Sequence, residues 1–95
     1  MAHQVVWTDD AKANYRAITE YLLDAFSFEV ADRFTDLIAD KLRILEQMPF
    51  IGRRLDSLTS VRKLPLQPYN VIYYTIVGEQ VIILNILDSR RGTYP

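Results

Sequence analysis

Apolar positions in the first half of the chain recur with the period of an α-helix. Between residues 11 and 25 they are separated by alternating steps of four and three residues, which places them on one helical face. Thr8 precedes this stretch as a candidate N-cap, and two aspartates follow in the first turn, where the helix dipole favours negative charge. We therefore predict a helix that ends near residues 24–26. Its apolar stripe consists of Ala11, Tyr15, Ile18, Leu22 and Ala25.

A second amphipathic helix is predicted to follow almost at once. Ser27 is placed to cap it, and Pro49 ends it because proline lacks an amide hydrogen and clashes with the preceding turn. Two helices joined by about two residues fold back as an antiparallel hairpin. A different face of the second helix carries a carboxylate at every fourth residue, which indicates either a solvated face or a metal or partner site. The apolar stripe is Ala31, Phe34, Ile38, Leu42 and Leu45, and the carboxylates are Asp32, Asp36 and Asp40.

The hydrophobic period changes to two in the second half of the chain, which indicates β-strands. The segment 61–66 contains Pro65 and is predicted to be an edge strand, because proline has no N–H to donate to a neighbouring strand. Gly78 and Glu79 fit a two-residue hairpin turn between two longer strands. A short strand is also predicted at the start of the chain, and residues 50–59 are predicted to be a loop. The remaining predicted strands are residues 3–7, 69–77 and 80–87.

The resulting element order is β-α-α-β-β-β in a single domain over residues 1–95. It predicts an α+β fold in which the N-terminal strand and the helical hairpin pack on one face of an antiparallel sheet. The two long strands are apolar at nearly every position. One helical hairpin cannot cover both faces of such a sheet, so we expect the other face to offer a partner surface.

Composition narrows the possible chemistry. The 95 residues are 49% hydrophobic and 24% charged and include no cysteine. Disulfides, thiolate metal sites and cysteine nucleophiles are therefore excluded, and a reduced, cytoplasmic location is expected. The one histidine, His3, lies at the start of the chain, where a catalytic role is not expected. No signal peptide, membrane-spanning run, metal site or cofactor is predicted.

Charge is distributed unevenly along the chain. Residues 1–50 carry five basic and nine acidic side chains, a net charge of −4, whereas residues 51–95 carry six and three, a net charge of +3. Arginine forks recognise phosphates and carboxylates, and a nearby tyrosine can stack or transfer a proton. We expect the basic residues to gather at one end of the sheet, although such charges also keep edge strands soluble. They are Arg53, Arg54, Arg62, Lys63, Arg90 and Arg91, with Tyr94 beyond them.

Short motifs follow one another in a fixed order over nearly the whole chain. They are Ala31-Asp32-Arg33-Phe34, Leu45-x-x-x-Pro49-x-x-Gly52-Arg53, Val61-Arg62-Lys63-Leu64-Pro65, Tyr69-x-Val71-x-Tyr73, and the strand 81–87 followed by Arg90-Arg91. In this order the motifs resemble the RelE/ParE superfamily of small bacterial toxins from toxin–antitoxin operons. The resemblance implies a cognate antitoxin that wraps the toxin with its C-terminal segment, in a hetero-oligomeric complex.

The superfamily has two branches, and the resemblance favours the ParE-like one, which inhibits DNA gyrase by protein–protein contact. The RelE-like branch, which cuts messenger RNA on the ribosome, usually has an arginine where this chain has Asn70, and it often has a histidine or a basic cluster with a tyrosine after the last strand. A sequence pI of about 5.7 also argues against docking into ribosomal RNA. A histidine frequent in the ParE-like branch is replaced by Asp88.

Three alternatives therefore remain open. A gyrase inhibitor needs no catalytic residue, and its predicted partner-binding residues are Arg53, Arg54, Arg62, Arg90 and Arg91. A ribosome-dependent endoribonuclease would use Arg62, Lys63, Arg90, Arg91 and Tyr94. A degenerate toxin would only bind its antitoxin. In each case the antitoxin is expected to bind through an amphipathic helix between hairpin and sheet, or by adding a strand to the sheet edge.

Overall fold

Two helices follow the first strand, and each begins at its predicted cap. A computed structural model describes residues 2–91, except for the side chain of Arg91. Helix α1 spans Asp9–Ala25 and helix α2 spans Phe28–Gln47. The hydroxyl of Thr8 accepts the Ala11 amide hydrogen at 3.0 Å. The hydroxyl of Ser27 accepts the Val30 amide hydrogen at 3.2 Å. Neither helix in the described part of the chain is long and apolar enough to cross a membrane.

The strands form one five-stranded sheet in the order β1-β5-β4-β3-β2. Strands β2 to β5 are antiparallel to their neighbours, as predicted, whereas β1 pairs in parallel with β5. The sheet is therefore mixed, because β1 is added in parallel to the outer edge of β5. Strand direction at such an edge depends on a contact between the two ends of the chain, which no local pattern encodes. The strands are β1 (Gln4–Trp7), β2 (Arg53–Arg54), β3 (Val61–Leu66), β4 (Asn70–Val77) and β5 (Gln80–Asp88).

The turn between β4 and β5 matches its prediction, whereas the short strand β2 was not predicted. The turn between β4 and β5 is the predicted two-residue turn, since Val77 pairs with Gln80 and Gly78 has a φ of +59°, which glycine adopts without steric cost. Strand β2 lies inside the segment predicted to be a loop. It is two residues long, too short for a period of two to be recognised.

The main core lies between the helical hairpin and one face of the sheet, as predicted. The helices bury side chains from both predicted stripes, and the sheet buries alternate residues of β3, β4 and β5 against them. We call this the helix face. Its buried residues are Ala11, Phe34, Ile38 and Leu45 from the helices and Leu64, Leu66, Ile72, Tyr74, Val81, Ile83 and Ile86 from the sheet.

The opposite, open face is apolar as predicted, but much of it is already buried. Val61, Val71 and Tyr73 form a second buried cluster there. Leu55, which directly follows β2, packs against this cluster. The expectation that the apolar side chains of this face offer a partner surface is therefore wrong for these three buried residues. Large exposed apolar side chains occur instead at the two ends of the molecule, around the tip of the helical hairpin and after the end of α2.

A β-bulge links the sheet to α1. The β4–β5 register shifts between Tyr73 and Tyr74, which leaves one residue of β5 without a partner. A bulge disrupts the ladder of backbone hydrogen bonds locally, and next to it the Asn14 side chain of α1 supplies an acceptor to β5. Its Oδ1 accepts the Ile86 amide hydrogen and a hydrogen from the Asn85 side chain, each at 3.1 Å. Because a buried amide hydrogen must be paired, this contact fixes α1 on the sheet.

Asn14→Ala should destabilise the protein by about 1–2 kcal/mol, because it leaves the Ile86 amide hydrogen without an acceptor. Asn14→Asp keeps an acceptor oxygen and should cost less. Thr19→Ala serves as the control, since its exposed hydroxyl bonds only to the Arg16 carbonyl, and it should change stability by less than about 0.5 kcal/mol. Urea unfolding followed by circular dichroism measures all three variants. Equal stability of Asn14→Ala and Thr19→Ala would contradict this role for the bulge contact.

Candidate protein-binding sites

Four of the predicted basic residues lie together at one edge of the sheet. Arg53 pairs with Lys63 across the β2–β3 ladder, and Arg54 pairs with Arg62. Residues that face each other across a ladder share one side of the sheet. Two like-charge pairs therefore stand next to each other, one on each face. None of these four side chains forms an ion pair within the described part of the chain.

Arg90 does not join this cluster, so the prediction that all the basic residues gather at one end of the sheet is wrong. Arg62 lies opposite Tyr74, whereas the residue before Arg90 donates its backbone N–H to the Tyr69 carbonyl at 2.7 Å. Tyr69 and Tyr74 are separated by about 17 Å of extended chain. The hairpin register thus carries Arg90 to the opposite end. The Arg91 side chain and Tyr94 lie outside the described residues.

The described residues of the predicted nuclease set do not converge. Arg62 and Lys63 are neighbours on β3, and successive strand residues point to opposite faces. Arg90 lies at the other end of the sheet. General acid–base catalysis needs its groups within hydrogen-bonding reach of one substrate, and these three do not share one pocket. Within residues 2–91 no three His, Asp or Glu side chains are close enough to hold a metal ion, and Asp32, Asp36 and Asp40 are all exposed.

The loop between α2 and β2 is held by the buried side chain of Tyr74. The Tyr74 hydroxyl donates to the Pro49 carbonyl at 2.7 Å and accepts the Gly52 amide hydrogen at 2.8 Å. Burial raises the pKa of Tyr74, although the Gly52 hydrogen bond and the charge of Arg62 act in the opposite direction. The hydroxyl therefore remains protonated at neutral pH and keeps its donor. We call this pair of hydrogen bonds the Tyr74 clamp.

Glycine is required at position 52 because the Tyr74 clamp leaves no room for a side chain. A Cβ there would collide with the Tyr74 hydroxyl and lie 2.9 Å from the Lys63 carbonyl oxygen. Arg62 closes the loop from the other side, since it donates to the Gly52 carbonyl at 2.7 Å and to the Phe50 carbonyl at 3.2 Å. Its guanidinium also lies 5.2 Å from the centre of the Phe50 ring. This loop is consequently fixed from both sides.

The fixed loop presents apolar side chains to solvent beside the basic edge strand. Met48, Phe50 and Ile51 are 56%, 64% and 46% exposed. Arg53 and Arg54 follow after Gly52, one on each face of the edge strand. We call these five residues the edge patch. The sequence indicated its arginines through their charge. Its apolar members were missed because three apolar residues near a proline and a glycine show no period.

A second surface, the hairpin groove, opens at the other end of the molecule. It has a volume of about 1090 Å³ and lies between the helical hairpin and the ends of β4 and β5. Most of its lining is apolar, and aromatic side chains stand around its mouth. The walls include Ile18, Leu22, Val30, Phe34, Leu37, Ile86 and Leu87, and the mouth includes Tyr21, Phe26, Arg33, Tyr69 and Arg90.

The two arginines of the hairpin groove differ in their electrostatic state. Arg90 donates from Nε and one terminal nitrogen to Asp88, at 3.0 and 2.7 Å, and lies 4.2 Å from the centre of the Tyr69 ring. These hydrogen bonds raise the pKa of Arg90 and neutralise its charge locally. Arg33 is exposed and forms no ion pair with any described residue. It is therefore the groove's available cation.

Comparison with known proteins assigns this fold to a family of small toxins. The family model of the ParE toxin of the type II toxin–antitoxin system parDE matches residues 5–92. The chain therefore belongs to the ParE toxin family and is a ParE-type toxin of a type II toxin–antitoxin system, which confirms the predicted resemblance. No curated protein sequence matches it significantly.

Solved structures share its fold. The chromosomal ParDE toxin–antitoxin system of P. aeruginosa matches with a TM-score of 0.78 and 24% identity, over 92% of this chain and 96% of that one. A YoeB/ParE toxin from Agrobacterium tumefaciens matches with a TM-score of 0.67 and 16% identity, over 90% and 97%. The RelBE2 toxin–antitoxin complex of Mycobacterium tuberculosis matches with a TM-score of 0.63 and 14% identity, over 93% and 99%. At these identities the likeness concerns the fold alone.

Tyr74→Phe should lower the free energy of unfolding by about 1–3 kcal/mol, because it leaves the Pro49 carbonyl and the Gly52 amide hydrogen buried without a partner. Tyr69→Phe is the matched control, since it removes a phenol hydroxyl from an exposed ring. Denaturant unfolding of both variants measures the difference. A Tyr74→Phe protein as stable as Tyr69→Phe would argue against the Tyr74 clamp.

Proposed function

We propose that this ParE-type toxin inhibits DNA gyrase through protein–protein contact, and that a cognate antitoxin neutralises it by binding in the hairpin groove. The observation that carries the proposal is the ParE family match over residues 5–92. Inhibition by contact requires no catalytic group, which agrees with the separation of Arg62, Lys63 and Arg90 in the fold. Asn70, where the nuclease branch usually has arginine, supports the same branch.

The hairpin groove suits an amphipathic antitoxin helix. A groove of about 1090 Å³ is slightly larger than typical small-molecule pockets, and its apolar walls match the recognition of a helix by its apolar face. Acidic side chains on the same helix would face Arg33. Strand addition is less favoured, because the edge strands β1 and β2 are four and two residues long and offer few backbone groups.

The antitoxin site can be tested with two exposed aromatic residues at the tip of the hairpin. Phe26 and Phe28 are 62% and 68% exposed, but only Phe26 lines the groove. We expect Phe26→Ala to weaken antitoxin binding about tenfold or more, as for a buried aromatic anchor, and Phe28→Ala to leave it within about twofold. The probe is the purified protein from the adjacent short reading frame, measured by calorimetry. Equal effects of the two variants would place the antitoxin elsewhere.

The target can be tested by DNA supercoiling. Purified gyrase should lose its ability to supercoil relaxed plasmid in the presence of ATP as this protein is added, because contact with the toxin blocks a step of the gyrase cycle. Addition of the antitoxin should restore supercoiling. Toxin unfolded by heat serves as the control. Unchanged supercoiling at large molar excess would rule out gyrase, and codon-periodic cuts in translated messages, detected by primer extension, would favour the endoribonuclease alternative.

A further inference from the structure

The basic edge of the sheet breaks a general rule of strand pairing. Like charges directly across a ladder destabilise a sheet, yet Arg53 pairs with Lys63 and Arg54 pairs with Arg62. No ion pair within residues 2–90 offsets either repulsion. Single charges suffice to protect an edge strand from aggregation, so two adjacent like-charge pairs exceed that need. An acidic partner would remove the repulsion when it binds.

The adjacent loop is preorganised for contact. The Tyr74 clamp fixes Pro49 and Gly52 from inside, and Arg62 holds the carbonyls of Phe50 and Gly52 from outside. Phe50 is exposed on a backbone that is already ordered. Binding through a rigid loop avoids the entropy cost of ordering it, which increases affinity.

The composition of the edge patch favours a protein over a nucleic acid. Aromatic residues, methionine and arginine are the types enriched in protein–protein interfaces, and the patch contains Met48, Phe50 and Ile51 beside Arg53 and Arg54. A nucleic-acid site would need several aromatic platforms along a basic groove, and this patch has one aromatic ring. Its partner is therefore expected to be acidic and to offer an apolar recess.

We propose that the edge patch is the surface through which the toxin binds its target, an acidic protein surface, and that this site is separate from the hairpin groove. The proposal rests on the proposed function in taking the toxin's target to be a protein. The hairpin groove and the edge patch share no lining residue, so substitutions in one can be examined for their effect on the other.

The test compares two charge reversals of equal size. R53E/R54E reverses the exposed arginines of β2, and K12E/R16E reverses two exposed basic residues of α1, so both variants change the net charge equally. We expect R53E/R54E, and separately Phe50→Ala, to weaken gyrase inhibition at least about tenfold. K12E/R16E should retain it within about threefold. Antitoxin affinity should remain within about threefold in all three variants, and thermal unfolding should confirm that each is folded.

The outcomes separate this proposal from the gyrase proposal. If the wild type arrests growth without inhibiting gyrase, the gyrase proposal fails, and loss of growth arrest in R53E/R54E but not in K12E/R16E still supports the edge patch. Folded edge-patch variants that inhibit like the wild type would overturn the edge-patch proposal alone. So would equal losses in both reversals, a parallel loss of antitoxin affinity, or binding of a single-stranded oligonucleotide that depends on Arg53 and Arg54. A wild type with neither effect overturns both proposals.

Discussion

The buried hydroxyl of Tyr74 is the contact that connects the helical layer, the sheet and the edge patch. It belongs to a central strand, and it bonds to the backbone on both sides of the loop that leaves α2. Because the loop cannot move away from β4 without breaking two buried hydrogen bonds, β2 is held against β3. Without that pairing Arg53 and Arg54 would lie on a free loop, and their charges would not be held at a fixed edge beside those of β3.

The same register that builds the edge patch isolates Arg90. The antiparallel hairpin of β4 and β5 returns the chain to the far end of the sheet, where Arg90 pairs with Asp88 and stacks on Tyr69. Because its charge is already paired, Arg90 adds little to the long-range electrostatic attraction of a partner. Its planar guanidinium instead forms a polar wall of the apolar hairpin groove. The basic second half of the chain is thus divided into two surfaces of different character, one with unpaired charges and one mostly apolar.

Features encoded within a few residues could be predicted, and features that depend on distant pairing could not. Thr8 and Ser27 cap their helices because a hydroxyl three residues before a free amide acts locally. The parallel pairing of β1 joins residues nearly eighty positions apart, and the two-residue strand β2 forms only because β3 lies beside it. The hairpin groove combines side chains from both helices and the sheet. Its aromatic mouth therefore has no counterpart in any single stretch of the sequence.

The separation of the two surfaces constrains how an antitoxin in the groove can block a target at the edge. The Arg90 end of the groove, beside Tyr69, lies about 17 Å of extended strand from Tyr74, and a helix covers that length with about eleven residues, at 1.5 Å per residue. A helix confined to the groove leaves Phe50 and Arg53 accessible. If the antitoxin binds in the groove alone, as proposed, it would neutralise the toxin through bulk that excludes the target, and its affinity would not depend on Arg53 and Arg54.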